Sequence, residues 1–351
     1  MEPLAHRLVA GGSFLLVATL GVIGYALVLT TLWLYRAKFH RESDFYVLVW
    51  TLAAGDCLVL LAQLLVAVPL SLTGLPLYGQ GTTLHVLTSL GYVSVEIRFY
   101  STLAIGLHRF LCFVSPRWHR KLFGDGRILA WSAGVAPLVA FDLVLDLLVG
   151  VRFAFRHDRF YVVGRRVNVS SENEHWLRVS GLTELQGVRN AIVAYCPLVN
   201  FALYAGTYLF IRIALSTRSS DASASGKRHR LEKQLLLQGL LVGVTTAVET
   251  TVFDNSESIY GLGCKRLGNC LFGSLLVSHA IVLNTAVNPF IFLTFNSLLR
   301  RKAKALMGVG AKQGNAATTV VTMKRRQEGK THRQEADVTK TGEGSQNPKC
   351  L

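Results

Sequence analysis

Long apolar runs alternate with shorter polar segments along the chain, and seven of these runs have about 20 residues or more. A helix of about 20 residues, rising 1.5 Å per residue, crosses a hydrocarbon core of about 30 Å. No run alternates with period two, so strands are not predicted. The pattern therefore predicts an all-α membrane protein, a seven-transmembrane helix bundle. The predicted spans are Leu8–Tyr35, Phe45–Pro69, Leu84–Phe113, Arg127–Val149, Gln186–Leu215, Gln234–Phe253 and Leu271–Phe295.

Composition agrees with a membrane protein. Hydrophobic residues make up 51% of the chain and charged residues 17%, and the mean hydropathy is +0.37. The net charge of +16 would suit a nucleic-acid partner, but the basic residues lie between and after the apolar runs. Basic residues in such positions contact anionic lipid headgroups. We therefore expect the lipid bilayer, and no nucleic acid, as the partner of these charges.

The distribution of Lys and Arg predicts the orientation. The segments after the odd-numbered spans, together with the C-terminal tail, hold 24 of them, and the segments on the other side hold nine. The richer side is normally cytoplasmic. We expect a multi-pass protein of the plasma membrane with an extracellular N-terminus and a cytoplasmic C-terminus. Segment 150–185 opposes this trend, because it is placed outside and yet carries six arginines.

The same reasoning divides the chain into four parts. Residues 1–7 form a short extracellular N-terminus, and residues 8–295 form the bundle. Residues 296–306 are amphipathic and basic and should lie as a helix along the inner membrane surface. Residues 307–351 are rich in Gly, Lys, Thr and Gln and should be a disordered, basic cytoplasmic tail.

Two features suit an extracellular position. Asn168 begins a glycosylation sequon, Asn168-Val169-Ser170. Cys264 and Cys270 enclose five residues in the segment before the last span, where a disulfide between them is geometrically possible in an oxidising compartment. Two free thiols are the alternative.

Short motifs then occur in a fixed order on successive spans. The second span holds Leu52-Ala53-Ala54-Gly55-Asp56, the third ends with His108-Arg109-Phe110, and the seventh ends with Asn288-Pro289-Phe290-Ile291-Phe292. These segments resemble the LAxxD, Asp/Glu-Arg-Tyr and NPxxY motifs of rhodopsin-like G-protein-coupled receptors, over about residues 20–305. Further matches are Pro116, Trp131, Pro197 and Leu299-Arg300.

The departures from this family indicate a divergent member. Tyr25 stands where the family has an asparagine, Leu84 stands where it has a cysteine, and the sixth span has no proline. In these departures, and in Gln238 and the VPLSLTG and WHRKLF segments, the chain resembles the divergent nematode chemosensory receptors. Divergent herpesviral receptors and purinergic-type receptors are the alternatives.

The resemblance implies roles at the inner end of the third span. It implies that His108, Arg109 and Phe110 couple to a heterotrimeric G protein, with Arg109 contacting it once the sixth helix moves outward. The alternative is an interfacial arginine that reaches the lipid phosphates. Neutral His108 replaces an acid that would hold Arg109 at rest, so elevated basal signalling is a hypothesis.

A second set of residues forms a predicted activation switch. The resemblance implies a sodium site at Asp56, and Arg98 stands where the family has a small polar residue. A charge in mid-membrane requires a partner, so Arg98 is predicted to replace the ion by pairing directly with Asp56. The alternatives are pairing with Glu96 or a watery cavity. The switch comprises Asp56, Arg98, Asn284, Asn288, Pro289 and Phe292.

The candidate ligand pocket is predicted from intramembrane ionisable and polar groups. Asp146 is instead predicted to meet arginines of segment 150–185. Gly91 replaces the aspartate that amine receptors use, which argues against a biogenic amine. The last span has no lysine, so it cannot hold retinal. The predicted pocket residues are Tyr92, Glu96, Asp142, Glu249 and His279.

These expectations favour a receptor that binds an extracellular ligand, whether a chemosensory compound, a peptide or a small molecule. The alternative is an ion- or proton-coupled transporter or channel, although no inverted repeat is visible. The motifs of intramembrane enzymes are absent, and neither a cofactor nor a metal is expected.

Overall fold

The computed structural model describes residues 3–37, 39, 45–75, 77–78, 82–124, 126–149, 151–156, 161–166, 181–216, 222–266 and 270–308. Seven long helices form a bundle within this part of the chain. They are α1 (Leu4–Leu34), α2 (Phe45–Thr73), α3 (Thr82–Val114), α5 (Arg127–Leu148), α6 (Leu182–Ser216), α7 (Ala222–Asp254) and α9 (Cys270–Phe295). Three short helices connect or follow them: α4 (Pro116–Phe123), α8 (Ser256–Arg266) and α10 (Ser297–Leu306).

Six of the described helices are long and apolar enough to cross a membrane. The exception among the seven is α7, which contains the predicted span Gln234–Phe253. Its side chains Gln238, Thr246 and Glu249 lower its hydropathy, and all three are buried inside the bundle. The bundle of α-helices is thus confirmed, and these polar side chains of α7 lie in its interior.

The helix α3 lies at the centre of the bundle and packs against α2, α5 and α6. The helices α1, α7 and α9 complete the ring, with α9 between α1 and α7. Large apolar side chains such as Leu16, Ile23, Leu198 and Ile213 point outward and are exposed. Contact of such side chains with lipid tails costs no free energy, whereas their exposure to water is unfavourable.

A wide turn interrupts α2 near its end. Residues Gln63–Ala67 form a π-helical turn, and Pro69 follows it. Proline has no N–H, so the carbonyl four residues earlier, that of Leu65, loses its usual donor. The Tyr78 hydroxyl donates to this carbonyl. A side chain thus replaces the backbone donor that proline removes.

A β-hairpin lies between α5 and α6, and no strand was predicted there. Strand β1 (Val151–Arg156) pairs antiparallel with β2 (Tyr161–Arg166), with Val151 opposite Arg166. The sequence of β1, VRFAFR, has a basic residue beside an apolar one at each end. This alternation covers only six residues, which is too few to give a clear strand signal. The hairpin corrects the prediction of a wholly strand-free chain outside the spans.

The two ends of the bundle differ slightly from the predicted divisions. Helix α1 begins at Leu4, so part of the predicted N-terminal segment 1–7 is helical. Helix α10 lies within the predicted segment 296–306, and the backbone N–H of Leu299 donates to Asn296 Oδ1 at 3.0 Å. Asn168 and the predicted tail beyond Gly308 lie outside the described residues.

Candidate functional site: a polar core and an adjoining cavity

Arg98 is the centre of the polar core. Its side chain on α3 is fully buried, and its guanidinium pairs with the carboxylate of Glu249 on α7. Arg98 Nη1 also donates to Thr285 Oγ1 on α9 at 2.8 Å, while Asn284 of α9 donates to Glu249. One arginine therefore joins three helices, as expected of a charge that requires partners in mid-membrane.

Asp56 has the predicted neighbours Asn288 and Arg98 and one that was not predicted, Tyr25. The Tyr25 hydroxyl donates to Asp56, and Asn288 Nδ2 donates to Asp56 Oδ2 at 3.1 Å. Arg98 Nε lies 4.0 Å from Asp56 Oδ1, beyond hydrogen-bond distance. The predicted pair of Asp56 and Arg98 is thus an ion pair without a hydrogen bond, and Arg98 has a second, closer pair with Glu249 that was not predicted. Tyr25, the residue that departs from the family's asparagine, supplies the donor to Asp56.

The other two residues of the predicted switch pack between α1 and α9. Pro289 lies against Gly24, where an added Cβ would approach Pro289 Cγ to 2.9 Å, so only glycine permits this contact. Phe292 is buried in an apolar cluster with Val28 and Leu299. Both residues thus contribute to packing on the side of α9 that faces α1.

A second charged cluster surrounds Arg189 on α6. Its guanidinium pairs with Glu96 and lies 3.6 Å from Asp142 Oδ1 and 3.3 Å from Asp146 Oδ2. It also donates to the Tyr92 hydroxyl. Glu96 therefore pairs with Arg189 and not with Arg98. Asp146 meets an arginine of α6, whereas the arginine side chains of segment 150–185, its predicted partners, lie outside the described residues.

Two further contacts stabilise this cluster. Gln186 Nε2 donates to Asp146 Oδ1 at 3.1 Å, and Tyr100 donates to Asp142 Oδ2 at 2.5 Å. Arg189 itself was not predicted as a site residue. Its position inside the predicted span Gln186–Leu215 was the available signal, because a charge within an apolar run requires buried partners.

A cavity of about 690 Å³ lies between the two clusters. Tyr92 and Glu249, both predicted pocket residues, line it together with Asp146 and Arg189. Its apolar wall comes from α2, α3, α6, α7 and α9 and includes Val59, Val66, Val95, Phe99, Val193, Phe253 and Ile281. Residue Val151 of β1 also lines it, so the cavity lies at the end of the bundle that carries the hairpin, here called the hairpin end.

The structure places the other three predicted pocket residues away from the cavity wall. Glu96 and Asp142 contact Arg189, which lines the cavity, but they do not line it themselves. His279 stacks on Phe14 of α1, with ring centroids 4.7 Å apart, and its Nδ1 lies 2.8 Å from the Leu275 carbonyl oxygen. Two of these three residues therefore reach the cavity through Arg189, and His279 packs against α1 instead.

Arg109 lies at the opposite end of α3, here called the Arg109 end. Its side chain is buried, with the guanidinium carbon 4.7 Å from the ring centre of Phe45 and 5.9 Å from that of Tyr204. His108 and His119 of α4 approach with their Nε2 atoms 3.1 Å apart. Phe110 packs against Gly206 of α6. Aromatic rings thus surround Arg109, and the preceding histidine is bonded to α4.

The predicted disulfide is present between Cys264, near the end of α8, and Cys270, the first residue of α9. Five residues separate them, so the bridge holds the start of α9 close to α8. This bridge lies at the hairpin end of the bundle, since α9 runs from Cys270 towards α10.

The fold and its buried charges define a class: a membrane protein with a bundle of seven long helices and two charged clusters in its interior. Residues 15–149 match the family model described as Serpentine type 7TM GPCR chemoreceptor Srx. The match runs from α1 to the end of α5 and includes Asp56, Arg98 and Arg109. It confirms the predicted resemblance to divergent chemosensory serpentine receptors. Among curated proteins, none matches the chain significantly.

Proposed function

We propose that the chain is a cell-surface G-protein-coupled receptor. An extracellular small molecule binds in the cavity at the hairpin end, and a heterotrimeric G protein binds at the Arg109 end. The observation that carries this proposal is the double role of Glu249, which lines the cavity and also pairs with Arg98. A molecule in the cavity therefore acts directly on the contact that holds α7 against α3.

The positions of Arg98 and Arg109 on α3 support a receptor mechanism. Arg98 and Arg109 are on the same helix and 11 residues apart, close to three turns, so both lie on nearly the same face of α3. Loss of the contact between Arg98 and Glu249 frees α7 to move relative to α3. A ligand that binds better to the state with α7 displaced shifts the population towards that state.

The orientation is part of the proposal. The excess of Lys and Arg supports a cytoplasmic position of the Arg109 end and an extracellular position of the hairpin end. The disulfide of Cys264 and Cys270 supports it, because such bonds persist in oxidising compartments. Epitope tags at the two termini should be accessible from opposite sides of intact cells, and accessibility from one side would contradict the arrangement.

Nucleotide exchange on co-expressed promiscuous G proteins tests the coupling. Membranes that contain the protein should exchange guanine nucleotide above the level of control membranes, and Arg109→Ala should remove this excess. Arg117→Ala is the matched control, because Arg117 is exposed on α4 near the same end and its loss should leave the exchange intact. Equal exchange by Arg109→Ala and the parent would contradict the role of Arg109.

The same membranes test the transporter alternative. Buried Glu249, Arg98 and Asp56 form a continuous polar path across three helices, which is also what an ion or proton relay requires. Proton or ion flux into vesicles without nucleotide exchange would favour the transporter. Nucleotide exchange without flux would favour the receptor.

A further inference from the structure

The polar core and the Arg189 cluster together carry an excess of negative charge. Among the described residues, five carboxylates and two guanidinium groups are buried in these two clusters, which formally leaves three negative charges unbalanced. The carboxylates belong to Asp56, Glu96, Asp142, Asp146 and Glu249, and the guanidinium groups to Arg98 and Arg189. Unbalanced charge in a medium of low dielectric constant is costly. Protons or a bound cation must therefore compensate part of it.

The cavity offers a place for such a cation. Two of the five carboxylates, those of Asp146 and Glu249, line it, and its volume of about 690 Å³ suits a small organic molecule. The aromatic rings of Tyr92, Phe99 and Phe253 also line it, and such rings attract cations. The cavity therefore suits an organic cation.

Asp56 is a second carboxylate close to Arg98. Asp56 Oδ1 and Arg98 Nε are both buried, and neither atom has a hydrogen-bond partner among the described residues. They carry opposite charge and lie 4.0 Å apart. A shift of about 1 Å would bring them into hydrogen-bond distance. Arg98 thus has an alternative carboxylate within reach, so losing Glu249 does not leave it without a partner.

We propose, building on the receptor function above, that the cavity binds an organic ammonium or guanidinium compound whose charged group takes Glu249 from Arg98. Arg98 then pairs with Asp56 on α2, and the ionic contact between α3 and α7 is lost. A cationic ligand can replace Arg98 as the partner of Glu249, whereas a neutral or anionic ligand would leave that carboxylate unbalanced. Amine receptors use an aspartate at the position of Gly91. In this chain, Glu249 of α7 and Asp146 of α5 provide the carboxylates of the cavity instead.

Cysteine labelling in the cavity tests the charge preference without knowledge of the natural ligand. Thr250→Cys and Ser278→Cys place a thiol in the lining on α7 and α9. The purified variants in nanodiscs are labelled with aminoethyl methanethiosulfonate, a cation, and with sulfonatoethyl methanethiosulfonate, an anion. The parent protein corrects for its native cysteines.

The cavity should favour the cationic reagent by about tenfold or more, relative to the ratio of rates at a free thiol in solution, because the net negative charge of the two clusters concentrates cations in the cleft. Glu249→Gln should lower this preference several-fold, and Glu184→Gln, at an exposed position on α6, should not change it. A ratio equal to that of the free thiol would mean that protons already neutralise the carboxylates, which overturns the proposal.

Attachment at the thiol of the Thr250→Cys variant then tests the exchange of partners. The tethered aminoethyl group should raise nucleotide exchange several-fold, whereas propyl methanethiosulfonate, a neutral reagent of similar size, should not. Equal effects of the two tethers would overturn the transfer of Glu249. A cationic preference in labelling, with no nucleotide exchange by any form, would support the cation site and overturn the receptor function.

Discussion

The carboxylate of Glu249 and the guanidinium of Arg98 form a buried ion pair that joins α7 to α3 in the interior of the bundle. The cavity borders this pair on one side through Glu249, and Asp56 lies on the other side, 4.0 Å from Arg98. The arginine thus stands between two carboxylates of different helices. A hydrogen-bonded pair of Arg98 with Glu249 links α3 to α7, whereas one with Asp56 would link α3 to α2.

Substitution of Arg98 should be more harmful than substitution of either carboxylate. Arg98→Met leaves Glu249 and Asp56 without a cation and should destabilise the protein by about 3–5 kcal/mol. Glu249→Gln should cost less, because Asp56 can take over Arg98. The double variant Arg98→Met with Glu249→Met should recover part of the loss. Thermal unfolding of the purified variants in nanodiscs measures this, and additive effects of the two changes would refute the coupling.

Tyr25 should contribute to stability through Asp56 alone. Tyr25→Phe removes the hydroxyl that donates to this carboxylate and should lower stability by about 1–3 kcal/mol, because it leaves a buried acceptor without its donor. Tyr195→Phe is the control, since Tyr195 is exposed on α6. The same unfolding measurement applies. A loss in Tyr25→Phe that persists in an Asp56→Ala background, where position 56 offers no side-chain acceptor, would show that the hydroxyl acts elsewhere.

Arg189 should be the residue on which the second cluster depends. Arg189→Gln leaves three buried carboxylates without their cation and should destabilise the protein by several kcal/mol. Removing one of the carboxylates, as Asp146→Asn, should partly rescue this variant while weakening the parent. Unfolding temperatures of the four proteins give the coupling. Equal losses from Asp146→Asn in both backgrounds would contradict it.

The helical plan could be predicted from the sequence because a bilayer imposes a minimum length on apolar runs. Even α7, the least hydrophobic of the seven long helices, contains the predicted span 234–253 within its observed range Ala222–Asp254. The sequence does not predict the hairpin of Val151–Arg156 and Tyr161–Arg166, because six-residue strands give a weak periodic signal. Run length is thus a much stronger signal than short alternation.

The partners of the buried charges could be predicted only in part. The need of Arg98 for a carboxylate follows from its position in an apolar span. Which carboxylate it contacts depends on the rotation and tilt of α2 and α7, which decide between Asp56 and Glu249. Spacing along one chain does not contain that information. Arg189 shows the same limit, since its three acidic partners come from two other helices.

The disulfide should stabilise the hairpin end only modestly. Cys264 and Cys270 close a short loop, and a small loop gives little entropic stabilisation, at most about 2–3 kcal/mol. The double variant Cys264→Ser with Cys270→Ser should therefore fold and reach the cell surface with a lower unfolding temperature. Alkylation of the parent before and after reduction measures whether the bond is present. Equal alkylation of both cysteines in the two samples would show that it is absent in solution.

His108 should set the basal activity. The family pattern has an acid at this position, which would pair with the neighbouring arginine at rest, whereas here His108 bonds to His119 at 3.1 Å and Arg109 lies over the ring of Phe45. His108→Asp gives Arg109 an anionic partner on its own helix, so basal nucleotide exchange should fall several-fold. His108→Asn is the control, because it removes the imidazole without adding charge and should lack this fall. Equal exchange by His108→Asp and His108→Asn would show that charge at position 108 does not restrain Arg109.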